Sequence, residues 1–135
     1  MLEAGSKVAP SVGSTTVFGA FLRGGIFYWL NPSKWSLTVS AGGAMPFKGD
    51  PWSFAFLAEA LVNGHFQKSY AGIGVGYSMK SMNLTDDGVD VVAQIGTNVV
   101  QTWNKFGSLF LEFRAPIGRS FSYNNRFGIG FRMVF

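Results

Sequence analysis

The sequence predicts an all-β fold, an eight-stranded antiparallel up-and-down barrel whose strands are transmembrane. Two observations predict it. Apolar side chains recur at every second position between turn signals, and 47% of the residues are apolar while only 13% are charged. Soluble domains carry about a quarter charged residues, so this chain has too few charges to cover a soluble surface. No run of about 18 apolar residues occurs, which excludes a membrane-spanning helix.

The last segment shows the alternation most clearly. Its apolar set consists of Phe127, Ile129, Phe131, Met133 and Phe135. Successive side chains of a strand point to opposite faces, so these residues form one continuous apolar face. The other face carries two glycines, Arg132 and Val134, which are small, charged or β-branched. The pattern predicts a strand with one face toward lipid.

Six earlier segments repeat this period of two. Their predicted outward sets are Phe18, Ala20, Leu22, Ile26, Tyr28 and Leu30; Trp35, Leu37, Val39 and Ala41; Trp52, Phe54, Phe56, Ala58, Ala60 and Val62; Ala71, Ile73, Val75, Tyr77 and Met79; Val89, Val91, Ala93 and Ile95; and Leu109, Leu111, Phe113 and Ala115. A weakly alternating strand from Leu2 to Ala9 brings the count to eight. Gly24 and Gly25 are a candidate bulge, which leaves the parity of the second strand open. We expect all 135 residues to form a single domain.

Three segments carry a family resemblance: the last strand, the glycine-alternating stretch from Tyr70 to Tyr77, and Leu109 to Arg114. Together they resemble small eight-stranded bacterial outer-membrane proteins of the OmpA/OmpX type, over essentially the whole chain. The resemblance implies location in the bacterial outer membrane among its lipid and lipopolysaccharide. It also implies that the barrel-assembly machinery reads an assembly signal formed by Phe127, Ile129, Phe131, Met133 and Phe135. The lack of a peptidoglycan-binding domain and the short outer loops argue against anchoring and adhesion.

The chain start and the charge balance add two expectations. Met1 to Ala4 carries no export signal, so we expect that a signal was removed and that Met1 is a recombinant start. The net charge of +4 comes from scattered basic residues. Dispersed charge favours anionic lipid headgroups over nucleic acid as a partner.

With the last strand ending on the periplasmic side, short and long connections alternate. The predicted periplasmic turns are Asn31 to Lys34, Gln67 to Lys68, and Asn104 to Lys105, and the predicted outer loops are Pro10 to Gly13, Phe47 to Pro51, Ser81 to Gly88, and Gly118 to Asn125. Aromatic residues flank the turns and predict an interfacial girdle: Trp29, Trp35, Phe66, Tyr70, Trp103 and Phe106. The alternative is that these aromatic residues belong to the core.

The inward faces collect charges of both signs. The predicted lumen charge cluster is Arg23, Glu59, Lys80, Asp90, Glu112, Arg114 and Arg132. Eight strands leave an interior that side chains fill, and charges in such a space must pair. We therefore expect a structural or interaction role. Two alternatives are a narrow channel for small solutes or ions, and a soluble lipocalin-like barrel for a hydrophobic ligand.

Catalytic signals are weak, so we expect no enzyme activity and no cofactor. His65 is the only histidine, and it lies by a predicted turn without a Ser-Asp arrangement. Outer-membrane lipid A deacylases carry a His-x-Ser pair on a late strand, which this chain lacks. Cysteine is absent, which removes thiolate sites. Asp86, Asp87 and Asp90 fit a solvated loop tip better than a metal site.

Overall fold

A computed structural model describes residues 1–10, 16–31, 34–47, 55–79, 88–102, 105–118 and 126–135, and within these ranges the side chains of residues 8–10, 16 and 17 are left aside. The strands are β1 (Leu2–Pro10), β2 (Thr16–Asn31), β3 (Trp35–Pro46), β4 (Ala55–Phe66), β5 (Ser69–Met79), β6 (Gly88–Gln101), β7 (Phe106–Pro116) and β8 (Arg126–Val134). Each strand pairs antiparallel with the next, and β1 pairs with β8, so the sheet closes. The predicted all-β, up-and-down, eight-stranded barrel is confirmed.

The two faces of most strands differ in chemistry, although the inward face of β4 also carries the buried apolar side chains of Leu57 and Leu61. In β5 the side chains of Ile73 and Val75 are exposed on the outer wall, whereas Gly76 and Ser78 are buried inside. The same alternation holds in β8, where Phe127 and Ile129 point outward and Arg126 and Arg132 point inward. The period of two in the sequence therefore corresponds directly to the outer and inner faces.

Three short hairpins mark one end of the barrel, the turn end. They join β2 to β3, β4 to β5, and β6 to β7, as predicted. In the β4–β5 turn, Gln67 adopts a left-handed φ of 54°, which lets two residues reverse the chain. The other four connections lie at the opposite end, the loop end, and most of the residues in the predicted outer loops fall outside the described residues.

The predicted bulge at Gly24 and Gly25 is wrong. The strand register is continuous at both glycines: Gly24 is paired with Leu2 of β1, and Gly25 is paired with Ser40 of β3. Shifts in register occur instead between Trp29 and Asn31 and between Asn98 and Val100, both next to the turn end. Gly25 serves close approach, because an added Cβ would lie 2.1 Å from the Val39 carbonyl oxygen. Trp52 and Phe54, predicted to begin the fourth strand, lie outside the described residues.

Gly74 on β5 marks another close approach between strands. A Cβ there would lie 1.9 Å from the Ala60 carbonyl oxygen and 2.8 Å from the Leu61 Cα, both backbone atoms of β4. We expect Gly74→Ala to destabilise the barrel by about 1–3 kcal/mol, since the backbone must shift to admit the methyl group. Gly24→Ala is the control, because nothing lies within 4 Å of its Cβ position. Urea unfolding followed by tryptophan fluorescence measures both, and equal effects would contradict the expectation.

Candidate functional site: a charged lumen above an aromatic floor

The lumen holds charged side chains of both signs, almost entirely removed from solvent. Nine described residues on six strands point into it, and none is more than 5% exposed. We call this set the lumen network: Glu3, Lys7, Arg23, Glu59, Asp90, Glu112, Arg114, Arg126 and Arg132. Four carboxylates thus face five cations. Buried charges are tolerated when they pair and form hydrogen bonds. The contacts within the network therefore determine whether these charges are stable in the lumen.

Arg23 lies at the centre of the network. Its Nη2 atom is 2.9 Å from Glu3 Oε2 and 2.7 Å from Glu112 Oε2, and its Nη1 donates to Glu59 Oε2. The planar guanidinium presents several donors at once, so a single side chain on β2 joins carboxylates from β1, β4 and β7.

Arg114 is the second bridging cation. Its Nε donates to Glu112 Oε1 over 2.8 Å, and its Nη2 donates to Glu59. Glu59 and Glu112 therefore each contact both Arg23 and Arg114, which gives a core of two arginines and two glutamates with alternating sign. Lys7 Nζ adds a contact of 3.0 Å to Glu112 Oε1.

The network extends from this core toward both ends of the barrel. Toward the turn end, Arg132 Nε donates to Glu3 Oε1 over 2.6 Å, and its guanidinium carbon lies 5.0 Å from the centre of the Tyr70 ring. Toward the loop end, Arg126 Nη1 lies 3.5 Å from Asp90 Oδ2, which also accepts a hydrogen bond of 3.0 Å from Ser78 Oγ. Paired charges thus occupy most of the length of the lumen.

Six of the seven predicted cluster residues lie in this network: Arg23, Glu59, Asp90, Glu112, Arg114 and Arg132. Lys80 lies outside the described residues. The prediction omitted Glu3, Lys7 and Arg126. A spacing of four places Glu3 and Lys7 on one face of β1, and Arg126 shares its parity with Arg132 on β8. Parity alone could have found all three.

Five aromatic rings close the turn end of the lumen, and we call them the aromatic floor: Phe27, Trp29, His65, Tyr70 and Phe106. The centroids of Phe27 and Phe106 are 5.1 Å apart, although β2 and β7 are not neighbours in the sheet. Trp29 and His65 are 4.6 Å apart, and His65 and Tyr70 are 5.7 Å apart. His65 Nε2 also lies 2.8 Å from Ser36 Oγ. The rings therefore reach across the lumen.

The floor corrects part of the predicted girdle. Tyr70 is only 2% exposed and donates to Gln94 Oε1 over 3.4 Å inside the lumen. It occupies the inward face because outward Ala71 and Ile73 have the opposite parity on β5. Phe106, which is half-buried, and Trp29, which is 40% exposed, also contribute rings to the floor, whereas Trp35 and Phe66 are exposed on the outer wall, as predicted. Trp103 lies outside the described residues.

The residues of the predicted assembly signal lie on the outer face of β8. Phe127, Ile129, Met133 and Phe135 are exposed, and Phe131 is half-buried. Phe131 covers Gly107 of β7, whose added Cβ would lie 2.7 Å from the Phe131 ring. Recognition of this face by the assembly machinery stays a prediction.

Comparison of the chain with protein-family models, curated proteins and solved structures found no match. In the described part of the chain, no group of three or more histidine, cysteine or acidic residues could hold a metal ion. Nor do those residues include a helix long and apolar enough to cross a membrane. The distribution of polar and apolar side chains on the barrel is therefore the guide to its role.

Proposed function

We propose that this chain is a small integral outer-membrane β-barrel of the OmpA/OmpX type, with a structural or interaction role and without catalytic activity. One observation carries the proposal: the outer wall is apolar, whereas the charged side chains of the strands are buried in the lumen. Ile26, Ile73 and Ile129 are 71%, 64% and 57% exposed on the wall, while Arg23, Arg132 and Glu3 are each 0% exposed. Lipid solvates such a wall, and water does not.

Strand length and polarity agree with this role. The strands contain 9 to 16 residues, and a tilted strand needs about 9–11 to cross the hydrocarbon core. Closure pairs β1 with β8, so no strand edge is left for lipid to meet. A soluble lipocalin-like barrel would present a polar wall to water and an apolar cavity to its ligand. This barrel has an apolar wall, and its lumen combines buried charges with an apolar cluster that includes Phe21, Leu57 and Phe110.

A gel experiment tests the proposal. We expect the protein to require detergent or lipid to stay dispersed, because its wall is apolar. We also expect the folded barrel to migrate differently from the boiled chain on a denaturing gel. The control is a sample unfolded in urea without boiling, which should migrate with the boiled chain. A monodisperse folded protein in plain buffer would contradict the proposal.

The packed lumen favours a structural role over a channel. The lumen network joins opposite walls through Arg23 and Arg114, and the aromatic floor lies across the turn end. A continuous path for ions would require both groups to rearrange. Breaking a buried ion pair leaves an uncompensated charge and costs about 3–5 kcal/mol.

We therefore expect planar lipid bilayers containing the purified barrel to show no steady conductance. Glu59→Gln, which weakens the centre of the lumen network, provides the comparison, and bilayers without protein give the baseline. A steady wild-type conductance whose ion selectivity changes in Glu59→Gln would overturn the structural role and establish the channel.

A further inference from the structure

The outer wall has a groove on one side of the barrel. Its volume is about 510 Å³, within the range of small-molecule sites. The groove extends from the end of β4 to β8, and its apolar lining includes Phe66, Ala71, Ile95, Leu111 and Ile129. Ala71 is the smallest outward residue of this set, and its short side chain helps to leave the depression open between longer neighbours.

The groove reaches the turn end, where its lining becomes polar. Ser69 and Thr97 line this part. The hydroxyl of Thr97 donates to the backbone carbonyl oxygen of Lys68 over 3.3 Å, and the backbone N–H of Asn98 donates to the same oxygen over 2.6 Å. These bonds hold the β4–β5 turn against the end of β6. Lys68 is exposed and directly precedes Ser69, so its backbone lies beside the turn end of the groove.

The charged side chains of the three turns all have one sign. Each of the three turns carries one lysine, Lys34, Lys68 or Lys105, and no turn contains an acidic residue. The loops at the other end, in contrast, include the acidic residues Asp50, Asp86 and Asp87. A cation near a membrane surface attracts anionic headgroups. The groove therefore has an apolar lining along the strands and a lysine beside its turn end.

We propose that this groove binds one anionic phospholipid, with an acyl chain along Ala71 and Ile95 and the phosphate at Lys68. The inference rests on the proposed membrane location, because the occupant is a bilayer lipid. An acyl chain complements the apolar lining, and a phosphate accepts charge-assisted hydrogen bonds from the lysine ammonium group. The bound lipid fills a depression that mobile bilayer chains would otherwise cover loosely.

Native mass spectrometry of the detergent-solubilised barrel tests the site. The barrel is mixed with equal amounts of dipalmitoyl phosphatidylglycerol and dipalmitoyl phosphatidylcholine, which share their acyl chains. We expect the wild type to retain one phosphatidylglycerol in about fivefold preference over phosphatidylcholine, the contribution of one lysine near a charged surface. Equal retention of the two lipids would overturn the proposal.

Two pairs of variants separate the chain site from the headgroup site. Ala71→Phe fills the groove and should abolish retention of both lipids, whereas Ala41→Phe, at an exposed outward alanine on β3, should not. Lys68→Gln should remove the preference for phosphatidylglycerol and keep phosphatidylcholine binding, while Lys34→Gln in the β2–β3 turn should behave as wild type. Equal lipid retention by the two alanine variants, or by the two lysine variants, would overturn the site.

The gel assay on the same samples distinguishes the two levels of the proposal. A wild type that folds only in detergent but shows no lipid preference overturns the groove and leaves the membrane barrel standing. A wild type that stays folded and dispersed without detergent overturns both.

Discussion

Replacing Arg23 with methionine is expected to destabilise the barrel by about 3–5 kcal/mol, the cost of removing one partner from a buried charge cluster. Arg23 contacts Glu3, Glu59 and Glu112, and all four side chains are almost fully buried. Methionine keeps an unbranched apolar stem but removes the guanidinium group and its charge. Three carboxylates then share the remaining cations, Lys7, Arg114 and Arg132. Urea unfolding in detergent, followed by tryptophan fluorescence, measures the change.

Two controls make this prediction specific. Lys34→Met removes a cation from an exposed turn and should change stability by no more than about 0.5 kcal/mol. Glu59→Gln combined with Arg23→Met removes one of the carboxylates that lose Arg23 as a partner, so the double variant should be less destabilised than the sum of the single variants. An Arg23→Met variant as stable as Lys34→Met, or simple additivity in the double variant, would show that the lumen network does not hold the walls together.

The strands and their faces could be predicted from the sequence because a period of two translates directly into an outer and an inner face. Ile73, Val75 and Ile129 required nothing beyond their spacing. The positions of the register shifts could not be predicted in this way. Gly24 and Gly25 suggested a bulge, but glycine also permits close backbone approach, and only the paired strand shows which applies. The real shifts, at Trp29/Asn31 and Asn98/Val100, have no comparable signal.

The inward charges were predictable for the same reason, but their partners were not. Arg23 and Glu112 are 89 residues apart in sequence, on β2 and β7. They meet because closure through β1 and β8 brings the two walls together across a narrow lumen. The position of Tyr70 near a turn predicts an interfacial girdle, whereas the parity of β5 predicts the inward face, where Tyr70 lies. At such positions the strand parity is the stronger guide.

A charge placed on the outer wall is the second substitution with a large expected effect on stability. Val75→Arg is expected to cost about 2–4 kcal/mol when the barrel is unfolded from phosphatidylcholine vesicles, because a charge near the bilayer midplane is poorly solvated. Val75 is 53% exposed and lies halfway along β5, between Ala60 of β4 and Val91 of β6. In water, a charge on such an exposed side chain would change stability by no more than about 0.5 kcal/mol. The same substitution thus distinguishes a wall in lipid from a wall in water.

Leu30→Arg supplies the matched control, because Leu30 is also 53% exposed and faces outward, but lies at the turn end of β2. Near the interface the arginine can reach headgroups and water, so its cost should fall to about 0–1 kcal/mol. Since exposure is equal at the two positions, a difference between them reports depth in the bilayer. Equal costs in vesicles would mean that Val75 and Leu30 share one solvent, and the proposed membrane location of the barrel would then be wrong.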